Sequence, residues 1–544
     1  MPSTDYSDLE DLSPFELKDR LIEIASSDSA RLMLNAGRGN PNFVATLPRW
    51  AYLSVGEFAL LESERSYSHL KVGLGGLPER AGLMQRFETY VAAHPRAAGV
   101  IFLREALALI KDRLGLNEED LLLEFVAAFL GCNYPTPPRM LPITETIVKA
   151  YLAQELFGSV RVRSDFSLFA TEGGTAAMTY IFQSLHANEL IDPGDKIAIV
   201  TPIFSPYLEI PVLDEYSLDV VDIRMDENDD WQLPDAEIDK LLDPKIKVLC
   251  LVNPSNPPST KLTDAVLDKI ATLVNTQRPD LLIVTDVVYA TFADDFVSLF
   301  AKCPYNTLCV YSFSKYFGAT GWRLGAIGLH DRNVFDSALA ALAEGRKALL
   351  DTRYSSLTTQ PRKLSFLDRL VADSRAVALN HTAGLSLPQQ LQMALFALHG
   401  LLDREDRYKN AAKELIRERY QTLYANMGVE AVRTPSDVDY YSLIDLQTIG
   451  ASLYGPQFEA WFTKNDLGTS YLFRLAKETG VVLLPGSGFE VVDTSARISL
   501  ANLTDSEYAS IGRFTRQVLD EYYVDFKKTL AATNGSAAHA GASR

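Results

Sequence analysis

The sequence predicts an α/β protein, with a large domain built on a mostly parallel sheet and a smaller α+β domain after it. Three observations carry this. From about Thr144, short β-branched runs recur without polar alternation: IAIVTPIF (197–204), VLCLVNP (248–254), LLIVTDVVY (281–289), TLCVYSFS (307–314) and RLGAIGLH (323–330). Such runs suit strands buried on both faces. Between two of them lies TDAVLDKIATLVNTQ (263–277), long enough for a right-handed crossover and headed by Thr263 as N-cap. Past residue 400 the pattern changes to a charged helical stretch (401–430), strand-like DYYSLIDL (439–446), and VVLLPGSGFE (481–490) leading to ARISLANL (496–503).

The remaining elements fall around this frame. Residues 1–60 form an N-terminal segment, packed with the small domain, that carries a loop of turn formers, NAGRGNPNF (Asn35 to Phe43). A helical insertion follows over 61–135, where LMQRFETYVAAH, IFLREALALIKDRLG and LLLEFVAAFLG place apolar residues at helical spacing. The large domain then occupies 136–400 and the small domain 401–530, and the small, polar residues 531–544 are expected to be disordered.

Composition narrows the function. The chain is 544 residues long, 47% hydrophobic and 22% charged, which suits a globular protein of more than one core. Its net charge of −18 lacks the positive footprint that nucleic-acid binding requires. An anionic substrate would therefore depend on specific arginines rather than on the whole-protein field. Cys132, Cys250, Cys303 and Cys309 show no CxxC spacing, so neither a disulfide framework nor a metal site is indicated and a reducing, cytoplasmic compartment fits best. The acidic N-terminus has no apolar leader, and no run of about 18 apolar residues could span a membrane.

The chemistry concentrates at strand ends. YSFSKYFGATGWRLG (311–325) puts Lys315 at the end of an apolar run, where an ammonium is costly to desolvate and an imine-forming amine is at home. Ser312 and Ser314 flank it with hydroxyls, and Arg323 follows with a fork suited to phosphate. TEGGTAAM (171–178) is a Gly-Gly-Thr turn entering a helix, an anion site made of backbone N–H groups. TPIFSPY (201–207) ends a run with Phe204 and Tyr207; NPSNPPS (253–259) is a rigid Asn/Pro cluster; VTDVVYATF (284–292) ends a run with Asp286, followed by Tyr289. Alone, each has an ordinary reading as core, turn or surface. Together and in this order they supply what pyridoxal 5′-phosphate needs: a phosphate cradle, an acid at the ring nitrogen, a donor at the phenolic oxygen, a stacking aromatic and a lysine.

On these motifs the chain resembles the class I/II aminotransferase superfamily of fold-type I pyridoxal phosphate enzymes, over roughly residues 30–510. The resemblance implies that Lys315 holds the cofactor as a Schiff base, Asp286 pairs with the pyridine nitrogen, and Tyr289 and Asn256 contact the phenolic oxygen. It assigns the phosphate to Gly174, Thr175, Ser312 and Arg323, with Ser314 beside them and Phe204 stacked on the ring. PGSGF (485–489) followed by Arg497-Ile-Ser makes Arg497 the ligand of the substrate α-carboxylate. The family forms homodimers in which a tyrosine reaches the other subunit's phosphate, a role that falls to Tyr134 in GCNYPTPPRM.

Length, insertions and the loop at Gly37-Arg38-Gly39 are closest to the branch of the family that β-decarboxylates aspartate. That likeness implies conversion of L-aspartate to L-alanine and CO2 through a ketimine and an enamine, with side transaminase activity, in homo-oligomers as large as dodecamers. Arg38 is then expected to orient the distal carboxylate, helped by Thr382 in NHTAGLS (380–386). Two rivals stay open: a plain aspartate or other amino-acid aminotransferase, and, more remote, a non-catalytic cofactor-binding sensor. The latter would carry a basic DNA-binding module that the acidic N-terminus lacks.

Overall fold

Where the apolar runs predict strands, strands form. The computed structural model describes residues 14–27, 32–70, 72–158, 166–465, 467–492 and 494–541; the acidic stretch 1–13 read above for a leader lies outside them. The main sheet has seven strands: β1 (Phe166–Thr171), β2 (Lys196–Thr201), β3 (Asp219–Arg224), β4 (Ile246–Val252), β5 (Leu282–Asp286), β6 (Thr307–Ser312) and β7 (Gly325–His330). Their spatial order is β1-β7-β6-β5-β4-β2-β3. All neighbours are parallel except β7, which runs antiparallel to both β6 and β1. A parallel return needs a crossover, usually a helix. Only the short lysine-bearing loop joins β6 to β7, so the chain turns straight back.

Register sets the site. Thr171, Gly325 and Ser312 lie side by side at one end of the sheet, and Val252, Asp286 and Val310 pair across its centre. Every residue of β5 is buried, so the carboxylate of Asp286 emerges from a fully buried strand at the carboxyl edge, where open α/β sheets bind ligands. Helix Gly174–Ala187 starts at that edge, directly after β1. Helix Asp264–Gln277 is the predicted crossover; Thr263 is its N-cap residue, but its side chain makes no capping bond.

The insertion is helical as its periodicity requires, with helices Thr46–Ser66, Leu83–Ala93, Ala98–Leu114 and Glu118–Leu130. Asn117 caps the last, its Oδ1 accepting from the N–H groups of Glu119 (2.9 Å) and Asp120 (3.1 Å). The expected boundary at 60/61 falls inside helix Thr46–Ser66. No proline or capping residue interrupts that helix there, so the N-terminal segment runs unbroken into the insertion. Helices Glu344–Tyr354 and Phe366–Asp373 are anchored through Asp373, which is 1% exposed. It accepts from Ser184 Oγ (2.7 Å), Asn188 Nδ2 (3.0 Å), Tyr354 OH (2.8 Å) and Arg353 Nη2 (2.9 Å). A buried carboxylate this well bonded fixes both onto helix Gly174–Ala187.

In the small domain, β8 (Tyr441–Asp445), β9 (Leu484–Pro485) and β10 (Ser495–Ser499) form an antiparallel sheet in the order β9-β10-β8. Helices Arg407–Met427 and Asp505–Gly541 pack on each other. The second corrects an expectation: it continues through Gly541, across residues read as a disordered tail. Ala531, Ala532, Ala537, Ala538 and Ala540 favour helix enough to carry it past the intervening polar residues. The N-terminal segment is tied to this domain by the parallel pairing of Leu34–Asn35 with Val481–Val482, and by Asn42 Nδ2 donating to the Leu503 carbonyl (2.9 Å).

Candidate active site

A cavity of about 250 Å³ opens at the carboxyl edge of the sheet, between the domains. Lys315, Asp286, Tyr289, Asn256, Ser312, Ser314, Arg323, Gly174, Thr175, Phe204 and Arg497 all line it. Sequence motifs up to 323 residues apart thus converge on one volume: Asp286 and Ser312 close their strands, Lys315 lies in the loop after β6, and Arg497 comes from the middle of β10 in the small domain.

The cradle is built from backbone. Gly173 adopts the left-handed region (φ +91°) just before helix Gly174–Ala187, and no side chain caps the helix start. A methyl group on Gly173 would lie 2.7 Å from the Arg323 guanidinium. Only glycine therefore lets the helix dipole, its first N–H groups and Arg323 face the same point. Arg323 is itself left-handed (φ +56°), with Nη1 donating to the Thr320 carbonyl (3.1 Å). Ser312 Oγ donates to Ser314 Oγ (3.0 Å).

Asp286 lies behind this cradle. Its Oδ1 accepts from the Val288 N–H (3.0 Å) and its Oδ2 from the Tyr207 hydroxyl (3.2 Å). Burial pushes the carboxyl up to about 6, with these two bonds and the Lys315 charge opposing. A ring N–H⁺ is the partner that would restore its charge. The sequence reading noted Tyr207 only as an aromatic at a strand end; its hydroxyl, aimed at Asp286, was not foreseeable from the motif.

Lys315 Nζ donates to the Gly39 carbonyl (2.9 Å), as does the Tyr440 hydroxyl (2.9 Å). Arg49 fixes the loop after the lysine: Nη1 donates to the Phe317 carbonyl (3.1 Å) and Nη2 to that of Gly318 (2.8 Å). Arg497 is 4% exposed and lies between the rings of Tyr441 (4.3 Å) and Phe489 (4.8 Å). Its Nη1 donates to Asn256 Oδ1 (2.9 Å) and its Nη2 to the Gly37 carbonyl (2.9 Å), while Nε is buried with no acceptor. That orphan donor marks where an anionic group belongs.

Tyr441 was missed. Its segment reads as a strand, but alternation does not say which of the two adjacent tyrosines faces the site. Tyr441 lines the cavity, and its hydroxyl shares a hydrogen bond with that of Tyr289 (2.9 Å). Burial works against its ionisation, but Lys315, Arg497 and the Tyr289 bond outweigh it and hold the phenol below its ordinary value. Burial pushes the Tyr289 phenol well above its own. Gly39 was read as loop geometry alone, yet a methyl there would lie 2.6 Å from the Tyr441 hydroxyl and 3.1 Å from Lys315 Nζ. Gly39→Ala is expected to displace one of these groups and lower kcat by about 10- to 100-fold. Steady-state kinetics beside an unchanged melting curve would check it.

Three expected residues lie elsewhere in the chain. Arg38 is exposed and does not line the cavity, although Gly37 and Gly39 on either side bond to Arg497 and Lys315. Thr382 is exposed, its hydroxyl donating to the Leu379 carbonyl (2.8 Å), and the N-cap of the following helix is Ser386 instead. Tyr134 is 69% exposed, its ring edge-on to His381 at 5.8 Å. Among the described residues no His/Cys/Asp/Glu cluster could hold a metal, and no helix is long and apolar enough to cross a membrane.

The chain is similar to known proteins. A family model for aminotransferase class I and II matches residues 148–511. The bifunctional aspartate aminotransferase and L-aspartate beta-decarboxylase of a Pseudomonas species is 55% identical over 525 residues, covering 96% of this chain and 99% of its own. A bifunctional aspartate aminotransferase and glutamate/aspartate-prephenate aminotransferase of Petunia hybrida is 26% identical, over 60% of each chain. The solved aspartate aminotransferase of Thermus thermophilus with maleate superposes with a TM-score of 0.56 over 95% of this chain and 100% of its own, at 16% identity, a likeness of fold. With the family match over most of its length, and Lys315, Asp286 and Arg497 in one cavity, the chain belongs to the class I and II aminotransferase family.

Proposed function

We propose that the protein is a pyridoxal 5′-phosphate enzyme that removes the β-carboxylate of L-aspartate to give L-alanine and CO2, and that also transaminates aspartate. The observation that carries it is the 55% identity, end to end, to an enzyme named for both activities, together with a cavity in which Lys315, Asp286 and Arg497 meet. The residues fit the cofactor: the capless helix start with Arg323 suits its phosphate, the buried Asp286 carboxyl suits its ring nitrogen, and Lys315 suits its aldehyde. When bound, the cofactor supplies the electron sink for charge developing on the substrate.

The chain's own groups do the rest. Arg497 receives the α-carboxylate, Lys315 moves the Cα proton, and Asp286 keeps the ring nitrogen protonated. Gly174, Thr175, Ser312, Ser314 and Arg323 hold the phosphate, Phe204 covers the ring, and Asn256 and Tyr289 face the phenolic oxygen. The distal carboxylate must leave as neutral CO2, so a tight buried clamp on it would stabilise the wrong state. An exposed arginine on a glycine-flanked loop suits that need, and Arg38 is our assignment, with Thr382. Tyr134 is exposed with its ring against His381, and Thr382 next to it in sequence is exposed too; in a homodimer, as the base of a larger assembly, a second copy would present these residues to the cavity. The four free cysteines suit a cytoplasmic setting.

Sustained, stoichiometric CO2 and alanine from aspartate without added 2-oxo acid is the test; a single turnover that stalls would favour a plain aminotransferase. Arg38→Ala is expected to lower decarboxylation by about 10²-fold while cofactor affinity holds. Unchanged CO2 release from that variant would remove Arg38 from the reaction.

A further inference from the structure

After CO2 departs, the β-carbon needs a proton, and no group has been assigned above to deliver it. We propose that Tyr441 is the acid that protonates the β-carbon. This rests on the decarboxylase reading above. Tyr441 sits at the start of β8, 3% exposed, and its hydroxyl borders the cavity. Gly39 brings it and Lys315 Nζ to the same small volume, since a methyl on Gly39 would lie within 2.6 Å of one and 3.1 Å of the other. The Arg497 guanidinium stands 4.3 Å over its ring, so a substrate held by Arg497 through its α-carboxylate lies beside this hydroxyl. The Tyr289 hydroxyl is 2.9 Å away and can donate to a phenolate. Tyr440, the adjacent alternative, has its hydroxyl committed to the Gly39 carbonyl.

The step balances without oxidant or reductant. The bond from Cβ to the carboxylate breaks, CO2 leaves, and the electron pair stays with the substrate skeleton. The Tyr441 O–H bond then breaks, its proton and that pair form the new Cβ–H bond, and the phenolate is left between Lys315 and Arg497. Those two cations stabilise it, in keeping with a phenol that they hold below its ordinary value. A proton from solvent, passed through the Lys315 amine, restores the hydroxyl, and this is the one proton that conversion of aspartate to alanine and CO2 consumes.

By microscopic reversibility the same phenolate must remove a methyl proton from bound L-alanine, which gives a test independent of decarboxylation. The holoenzymes of wild type and Tyr441→Phe are incubated with L-alanine in 2H2O and followed by proton NMR. The expected result is methyl exchange slowed at least ~100-fold in the variant with Cα exchange slowed far less. A second readout is the ultraviolet tyrosinate band of the holoenzyme, wild type minus variant, which should show one phenol titrating below ordinary tyrosine. Fluorotyrosine placed at position 441 keeps the shape and should move the pH profile of methyl exchange downward while that of Cα exchange stays. The charged and titratable groups facing it, Lys315, Arg497, Tyr289 and Tyr440, are unchanged in that protein. Methyl exchange at the wild-type rate in Tyr441→Phe, parallel loss of both exchanges, or an unmoved profile with fluorotyrosine would each overturn the proposal. Absence of CO2 release by the wild type would instead defeat the decarboxylase reading.

Discussion

Lys315→Ala is expected to abolish turnover, by about 10⁴-fold or more, because on the proposed assignment the variant loses both the cofactor's covalent anchor and the base that moves the Cα proton. The absorbance band of the lysine-bound cofactor should vanish, and cofactor should be lost on dialysis. The fold should survive. Lys315 makes one bond, to the Gly39 carbonyl at 2.9 Å, and its loss costs about 1–3 kcal/mol. The loop that carries it remains clamped by Arg49. A variant that kept the band would overturn the whole cofactor assignment.

Asp286 gives the second large effect. Asp286→Asn keeps the shape but not the charge, so the ring nitrogen loses its proton-holding partner; kcat for both activities should fall by about 10²- to 10⁴-fold. The wild type also predicts a pH dependence. Burial raises this carboxyl from an ordinary 3.8 to about 6, so between these values the folded, cofactor-free protein binds more protons at this site than the unfolded chain. Its contribution to stability is therefore greatest below about 4 and declines as pH rises towards 6. Cofactor affinity should run the other way, rising through pH 6 as the carboxylate becomes available to the pyridinium. Tyr207→Phe removes a donor that favours the charged form and should move that midpoint upward. The Asp286→Asn protein isolates the cofactor phosphate's own titration. Fluorescence-monitored binding across pH 5–8 checks both; coincident curves for wild type and Asp286→Asn would refute the account.

Much of this site was legible because parallel sheets place chemistry where apolar runs end. Asp286 and Ser312 lie at the ends of such runs, which locates them without knowledge of the partners; the strand Phe166–Thr171 was not read from the sequence. The antiparallel β7 could not be read this way, since an apolar strand looks the same in either direction. Nor could the side chains that depend on the small domain's exact placement. Tyr440 and Tyr441 are adjacent and equally suited to a strand; only the pairing of β8 with β10, with Tyr441 opposite Ser499 and Leu443 opposite Arg497, brings Tyr441 and Arg497 to one cavity. Arg38 shows the converse: its glycine-flanked motif is conspicuous, yet its side chain faces outward while the flanking backbone does the bonding.

The bonds that Arg497 makes at rest carry a consequence for selectivity. Each of its two terminal nitrogens gives one N–H, to Asn256 and to the Gly37 carbonyl, and the Nε N–H has no acceptor. On the proposed assignment an arriving α-carboxylate meets a guanidinium already turned and held by protein acceptors, with N–H groups left over to receive it. Little freedom is then lost on binding the end common to every amino acid. Discrimination is left to the side chain of the substrate.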